Sequence, residues 1–267
     1  MCLPKFTFDI RISIVFSTLQ NLGNTRMTTL VVGATGATGQ LLVEQLLTES
    51  EQVRVIVRSI DRLPKALLSD DRISVTEANL LDMSEAELRQ QVQGCRAVVS
   101  CLGHNPTLQG MFGQPKQLVT IALQRLCRAI ELTEPVVPVK FILMNTTGNQ
   151  NKCAGEKVSA AQALVVGMIR HLLPPHADNE KAAAHLQSTY GLGHKMIEWT
   201  AVRPDALVDE DSVTAFSTHP SPTCSAIFDD GKTSRINVAR FMTELVLEDE
   251  TWNQWKSQMP VIYNSFS

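Results

Sequence analysis

The sequence predicts a doubly wound α/β domain: a parallel sheet with helices on both faces and a small C-terminal lobe on the substrate side. Three observations predict it. Short β-branched runs alternate with amphipathic stretches up to about residue 145, the βαβαβ rhythm of a parallel sheet. The first such run ends in glycines and opens directly into a helical pattern. The chain has 267 residues, 44% apolar and 19% charged, which suits one well-packed domain.

Residues 28–32 read as a buried strand of threonine, leucine and valine. Residues 36–48 read as a helix, because Leu42, Val43, Leu46 and Leu47 share one face. Residues 53–57 and 73–75 are the second and third strands, with Pro64 in the connection. Residues 83–92 have the charge and spacing of an exposed helix, and 97–102 form a fourth strand. A long amphipathic helix covers 118–132, closed by Pro135 and Pro138, and a fifth strand covers 139–144. Residues 155–173 and 179–189 look helical, separated by Pro174-Pro175. A sixth strand, 199–202, runs into Arg203-Pro204. The run 225–228 leads to a turn over 229–232, and 238–247 form the last helix. Residues 1–26 read as a poorly ordered extension, with the domain over 27–267; their apolar run, 12–19, is too short to span a bilayer.

A net charge of −3 with no basic stripe argues against nucleic acid as a partner. An anionic ligand must then be held by a few placed groups. The six cysteines show no CxxC pair and no Cys/His cluster with zinc spacing. They read as reduced thiols of a cytoplasmic protein with no metal and no membrane association. The oligomeric state, monomer or homodimer, stays open.

The chemistry sits in Gly33-Ala34-Thr35-Gly36-Ala37-Thr38-Gly39. The first glycine permits a tight turn, the second lets backbone approach a pyrophosphate, and the third lets helix and strand pack closely. Free N–H groups at the helix head then face phosphates, and Thr35 and Thr38 add hydroxyl donors. The spacing is Gly-x-x-Gly-x-x-Gly, and a βα turn with incidental glycines is the competing reading. With the strand before it and the helix after it, the segment indicates a Rossmann-type dinucleotide site.

NAD-selective domains place an acidic residue at the end of the second strand. Here that strand runs into Arg58-Ser59, and Arg62 follows one turn later. Two guanidiniums suit a 2′-phosphate, so NADP(H) is the expected cofactor.

These segments resemble the atypical short-chain dehydrogenase/reductase group, the NmrA-like and NAD(P)H-binding families, and nearest the flavin reductase or biliverdin IX-beta reductase type. The glycine loop carries the resemblance with Val57-Arg58-Ser59-Ile60-Asp61-Arg62-Leu63-Pro64, Ala97-Val98-Val99-Ser100-Cys101-Leu102-Gly103 and Ala201-Val202-Arg203-Pro204. Asp230-Gly231-Lys232-Thr233-Ser234-Arg235-Ile236 is a weaker match. The resemblance implies that Asn79 and Leu80 lie by an adenine and that Leu102 and Gly103 line the dinucleotide. It also implies that Asn145, Thr146 and Thr147 face the nicotinamide, with Pro204 among the cofactor residues.

The chain departs from the wider group in lacking Tyr-x-x-x-Lys. His194 stands four residues after Tyr190, and Tyr263 lies too near the end. In Ala177-Asp178-Asn179-Glu180-Lys181 the lysine matches and the tyrosine position holds Ala177. Lys181, against a plain surface lysine, and Thr147, against a strand-end cap, are therefore the candidate catalytic residues. Asp205 stands where the flavin reductase type carries histidine. His104, at a strand end, and His176, after the double proline, offer donors to a substrate or phosphate, against the favoured reading of solvated loop residues, and Trp199, Trp252 and Trp255 read as packing anchors. The expected function is NADPH-dependent reduction of a small conjugated acceptor such as a flavin, quinone or enone. A non-catalytic NADP(H) sensor of the NmrA-like type is the alternative, and a sugar-nucleotide epimerase fits poorly.

Overall fold

The structure is a computed structural model, and it describes residues 27–103, 116–151, 155–156, 174–224 and 231–265. Ten strands lie among them: β1 (Thr28–Val32), β2 (Gln52–Val57), β3 (Ile73–Glu77), β4 (Cys95–Ser100), β5 (Val139–Met144), β6 (Ile197–Pro204), β7 (Ala206–Val208), β8 (Phe216–His219), β9 (Lys232–Ser234) and β10 (Val261–Asn264). The helices are α1 (Ala37–Thr48), α2 (Lys65–Leu68), α3 (Glu85–Val92), α4 (Leu118–Glu131), α5 (Pro174–His185), α6 (Arg235–Leu247) and α7 (Asp249–Trp255).

The main sheet has the order β3-β2-β1-β4-β5-β6-β10-β8. Its first six strands therefore follow 3-2-1-4-5-6, the doubly wound order that reverses between β1 and β4. All neighbours pair in parallel except the edge strand β8, which runs antiparallel to β10. Strand side chains alternate faces. Leu30 and Val32 join Leu88, Leu123 and Leu186 on one side, while Val31, Val55 and Val99 join Leu42, Phe241 and Trp252 on the other. The predicted helices on both faces thus bury both sides of a sheet whose central strands are mostly apolar.

Several boundaries differ from the sequence expectation, each for a local reason. The helix expected over 83–92 starts at Glu85, because Ser84 forms a capping box with Glu87: Ser84 Oγ accepts from Glu87 N at 3.3 Å, and the Glu87 carboxylate accepts from Ser84 N at 2.6 Å. The strand expected over 97–102 is shifted to Cys95–Ser100, since its partner β1 ends at Val32, opposite Ser100. The last long helix begins at Arg235 rather than 238, capped by Ser234 Oγ accepting from Asn237 N. Pro174 and Pro175, expected ahead of a helix that starts at 179, instead open α5, where a missing N–H breaks no helical bond. That helix continues into a π turn, Leu186–Tyr190. Of the helix expected over 155–173, Gly155 (φ +68°) and Glu156 are not helical, and the rest lies outside the described residues. Residues 1–26 and 225–228 lie outside them too. Lys232, expected in a turn, starts β9.

No hydrophobic period in the sequence marks β7 to β10 or α7. The strands β7 and β9 pair in parallel as a separate two-stranded sheet, the small C-terminal lobe, whereas β8 and β10 extend the main sheet. Trp199, Trp252 and Trp255 are buried, as packing anchors should be. Among the described residues no helix is long and apolar enough to cross a membrane. Cys95, Cys101, Cys127 and Cys224 are free thiols.

Candidate functional site

The carboxyl ends of β1 to β4 enclose a cleft of about 520 Å³, within the size range of small-molecule sites. The predicted residues Gly33, Thr35, Gly36, Ala37, Arg58, Arg62, Asn79, Leu80, Leu102 and Gly103 all line it. Thr38 and Gly39 lie buried in the first turn of α1 beneath them.

The glycines act for separate reasons. Gly33 has φ +82°, and a Cβ there would stand 2.5 Å from the carbonyl carbon of Cys101. Its carbonyl accepts from Gly36 N at 3.0 Å, closing the turn. A Cβ on Gly39 would lie 2.2 Å from the Gly33 carbonyl oxygen, so this glycine lets α1 sit against the turn. Gly36 is exposed, and its Cβ would meet only the Gly33 oxygen, at 3.3 Å.

No side chain caps α1, and its first turn carries no acidic residue. Its first N–H groups and the positive end of its dipole therefore suit an anion. Arg58 and Arg62 are exposed at the cleft wall after β2, and among the described lining residues there is no carboxylate. Asp61 sits between them in a 3-10 turn but does not line the cleft. These features fit a dinucleotide diphosphate at the α1 head.

Arg235, to which the sequence reading gave no role, also lines the cleft. Its one local signal is its place directly after the α6 cap, Ser234. Cys101 lines the cleft as well, and burial pushes its thiol up to about 12.

Asn145, Thr146, Thr147 and Pro204 lie together at the carboxyl ends of β5 and β6, outside that lining. Asn145 acts as a knot. Its Nδ2 donates to the Asn179 carbonyl at 3.1 Å, and its Oδ1 accepts from Thr146 N at 2.9 Å and from Asn149 Nδ2. Thr147 is buried, its N donates to the Pro204 carbonyl at 3.1 Å, and its Oγ1 donates to Asp205 Oδ1 at 3.1 Å. Lys181 is exposed on α5.

Two buried charges that the sequence reading missed hold this end of the sheet. Asp178, 1% exposed, accepts from Val119 N, Thr120 N and Thr120 Oγ1 at 2.8, 3.0 and 2.6 Å. It supplies α4 with a carboxylate at its positive end and so pins α5, with Lys181, to α4. Arg203, with 0% exposure, pairs with Glu156 and donates to the carbonyls of Met259, Asn149 and Pro220.

Neither tyrosine lines the cleft. Tyr190 is buried in the π turn, and burial, then Cys127 and Glu131, push its phenol well above the usual value. Tyr263 lies on β10, its ring against the backbone of Gly231. His176, expected in a loop, lies in the first turn of α5 because the helix opens at Pro174, and it packs its ring over Gly148, where a Cβ would come within 2.9 Å of it. His104 lies outside the described residues. Among the described residues no group of three or more His, Cys, Asp or Glu side chains gathers for a metal.

No curated protein matches the chain. Among solved structures, the oxidoreductase ylbE from Lactococcus lactis is 19% identical with a TM-score of 0.63, over 90% of this chain and 92% of that one. ChuY, an anaerobilin reductase from Escherichia coli, is 16% identical with a TM-score of 0.63, over 90% and 98%. A short-chain dehydrogenase/reductase from Veillonella parvula, in complex with NADP, is 15% identical with a TM-score of 0.62, over 89% and 94%. These likenesses establish the shared Rossmann-type fold. Residues 33–249 match the NAD(P)H-binding family profile, a span that runs from the first glycine of the cleft to the start of α7. The chain belongs to the NAD(P)H-binding family.

Proposed function

We propose that the protein is an NADP(H)-dependent oxidoreductase acting on a small conjugated acceptor such as a flavin, quinone or enone. One observation carries the reading: a single cleft joins an uncapped helix head to the Arg58 and Arg62 guanidiniums, and no carboxylate lines it among the described residues. The 2′-phosphate would meet charge-assisted donors there instead of repulsion. NADPH, when bound, supplies the hydride. The chain's residues hold and orient: α1 and the arginines take the phosphates, and Leu80 and Leu102 give apolar walls.

Proton supply selects the acceptor class. A carbonyl reductase of the short-chain type uses the phenol of a Tyr-x-x-x-Lys pair, and this chain has no such pair. A flavin, quinone or enone takes its proton from water after reduction, so it suits this site. Thr147, at the ends of β5 and β6, is the hydroxyl assigned to orient the acceptor, and Lys181 supplies positive charge nearby. Unlike ChuY and the Veillonella protein, whose names carry their ligands, this chain's acceptor rests on that chemistry alone.

A non-catalytic NADP(H) sensor is the second reading. It is favoured by the Thr147 proton being already donated to Asp205. Calorimetry with NADPH and NADH, followed by absorbance assays on a flavin and quinone panel, decides between them. The oxidoreductase reading expects tighter NADPH binding and turnover that falls in T147V or K181A. Tight binding with no turnover on the panel selects the sensor, and no binding of either nucleotide overturns both.

A further inference from the structure

The cleft holds a cation on the side away from Arg58 and Arg62. Arg235 begins α6, which packs beside α1: Gln45 of α1 donates to the Ile236 carbonyl at 3.1 Å, and Arg240 pairs with Glu49 at 2.8 Å. The far end of α6 reaches β5, where Lys140 Nζ donates to the carbonyls of Leu245 and Val246. In the sheet order β5 and β2 lie on opposite sides of β1. Arg235 therefore approaches the α1 head from the β5 side, and Arg58 approaches from the β2 side.

Its present partner is weakly held. Arg235 Nη1 lies 2.7 Å from Asp209 Oδ1, with side-chain exposures of 26% and 84%. The pairing is a product of register: Val208 of β7 faces Ser234 of β9, so the next residues on each strand meet. A pair this exposed is screened by water and gives way readily to a stronger anion. A diphosphate at an uncapped helix head is such an anion.

We infer that Arg235 is a third cofactor cation, one that leaves Asp209 to grip the diphosphate. Asp209 is then its parking partner, and it competes with the nucleotide. This rests on the reading of the cleft as a dinucleotide site. Because NAD and NADP share the diphosphate, Arg235 strengthens binding of both, whereas Arg58 and Arg62 discriminate between them.

The test is calorimetry on the full chain with NADPH, NADH and adenosine 2′-monophosphate, which carries the 2′-phosphate and no diphosphate. R235A is expected to weaken NADPH and NADH alike by about tenfold or more, the scale of a lost charge-assisted bond. It should leave adenosine 2′-monophosphate unchanged, with R235K intermediate. R58A should weaken NADPH and adenosine 2′-monophosphate and spare NADH. D209N should tighten both dinucleotides by roughly threefold, since the competing acceptor loses its charge. D209N also carries the test should R235A prove unstable. Unchanged dinucleotide binding in R235A, or a loss confined to NADPH and adenosine 2′-monophosphate, overturns the assignment while leaving the cleft reading intact. A wild-type protein that binds none of the three overturns both.

Discussion

Arg203, none of whose side chain reaches solvent, grips Glu156 through two bonds of 3.0 and 2.7 Å. The same guanidinium donates to three backbone carbonyls, so all its donors have partners, which lie in the segment after β5, just after β8 and just before β10. Removing one partner of such a pair leaves a buried charge exposed to no water. E156A is expected to lower stability by about 3–5 kcal/mol. E156Q, which keeps one acceptor, should lose less. Urea unfolding measures both, and a loss in E156A no larger than a surface substitution would show that the pair holds nothing.

The glycine loop separates packing from binding. G39A drives a methyl to 2.2 Å from the Gly33 carbonyl oxygen, so α1 must shift. Overpacking of that kind costs about 1–3 kcal/mol and should lower the melting temperature. G36A meets its nearest atom at 3.3 Å and should fold almost normally. Its methyl stands in the exposed cradle, so dinucleotide affinity should fall by at least about tenfold, the cost of displacing a charge-assisted contact. Equal melting losses in the two variants would break this division of labour.

Thr147 and Asp205 form a pair whose loss can be read two ways. T147V removes the hydroxyl from a buried position where it donates to Asp205, while Gly231 N still donates to the other carboxylate oxygen at 3.3 Å. A stability loss of about 1 kcal/mol is expected for one hydrogen bond. On the oxidoreductase reading turnover also falls while NADPH affinity stays unchanged. Loss of affinity without loss of turnover would move Thr147 out of the acceptor's path.

Three shielded thiols, the buried Cys95 and Cys127 and the half-buried Cys101, predict an alkaline limb. Burial pushes Cys101 from its ordinary 9.0 up to about 12 and Cys95 up to about 11, and it raises Cys127 as well. Below pH 9 folded and unfolded chains both keep these protons. From about 9 to about 11 or 12 only the folded chain keeps them, so the unfolded state gains and stability falls as pH rises. Denaturation midpoints measured from pH 7 to 11 should drop, and the C127A drop should be shallower. Cys101 should also react with iodoacetamide at pH 8 at least about tenfold more slowly than in unfolded protein, because the thiolate is the nucleophile.

The arrangement around β1 was legible because its signals are local. The run 28–32, the glycine spacing and Arg58 beyond the second strand each sit within a few residues of the structure they specify, and backbone sterics leave little choice at Gly33. The central strands could be read as strands because, buried on two faces, each carries a short apolar run. Lys181 and Thr147 could be named from their segments, but their surroundings could not.

What the sequence alone determined is the kind of fold and the head of its first helix, including the cations after β2. Tertiary structure decided the rest. The carboxylate of Asp178 meets the α4 head from 58 residues away, Arg203 reaches the Asn149 carbonyl across 54, and Arg235 finds Asp209 across 26 through the β7–β9 register. The short strands β7 to β10 carry too few residues for a hydrophobic period, and they exist because neighbours satisfy their backbone groups. Charge pairs and strand partners of this sort are properties of distance in space, which a linear pattern does not record.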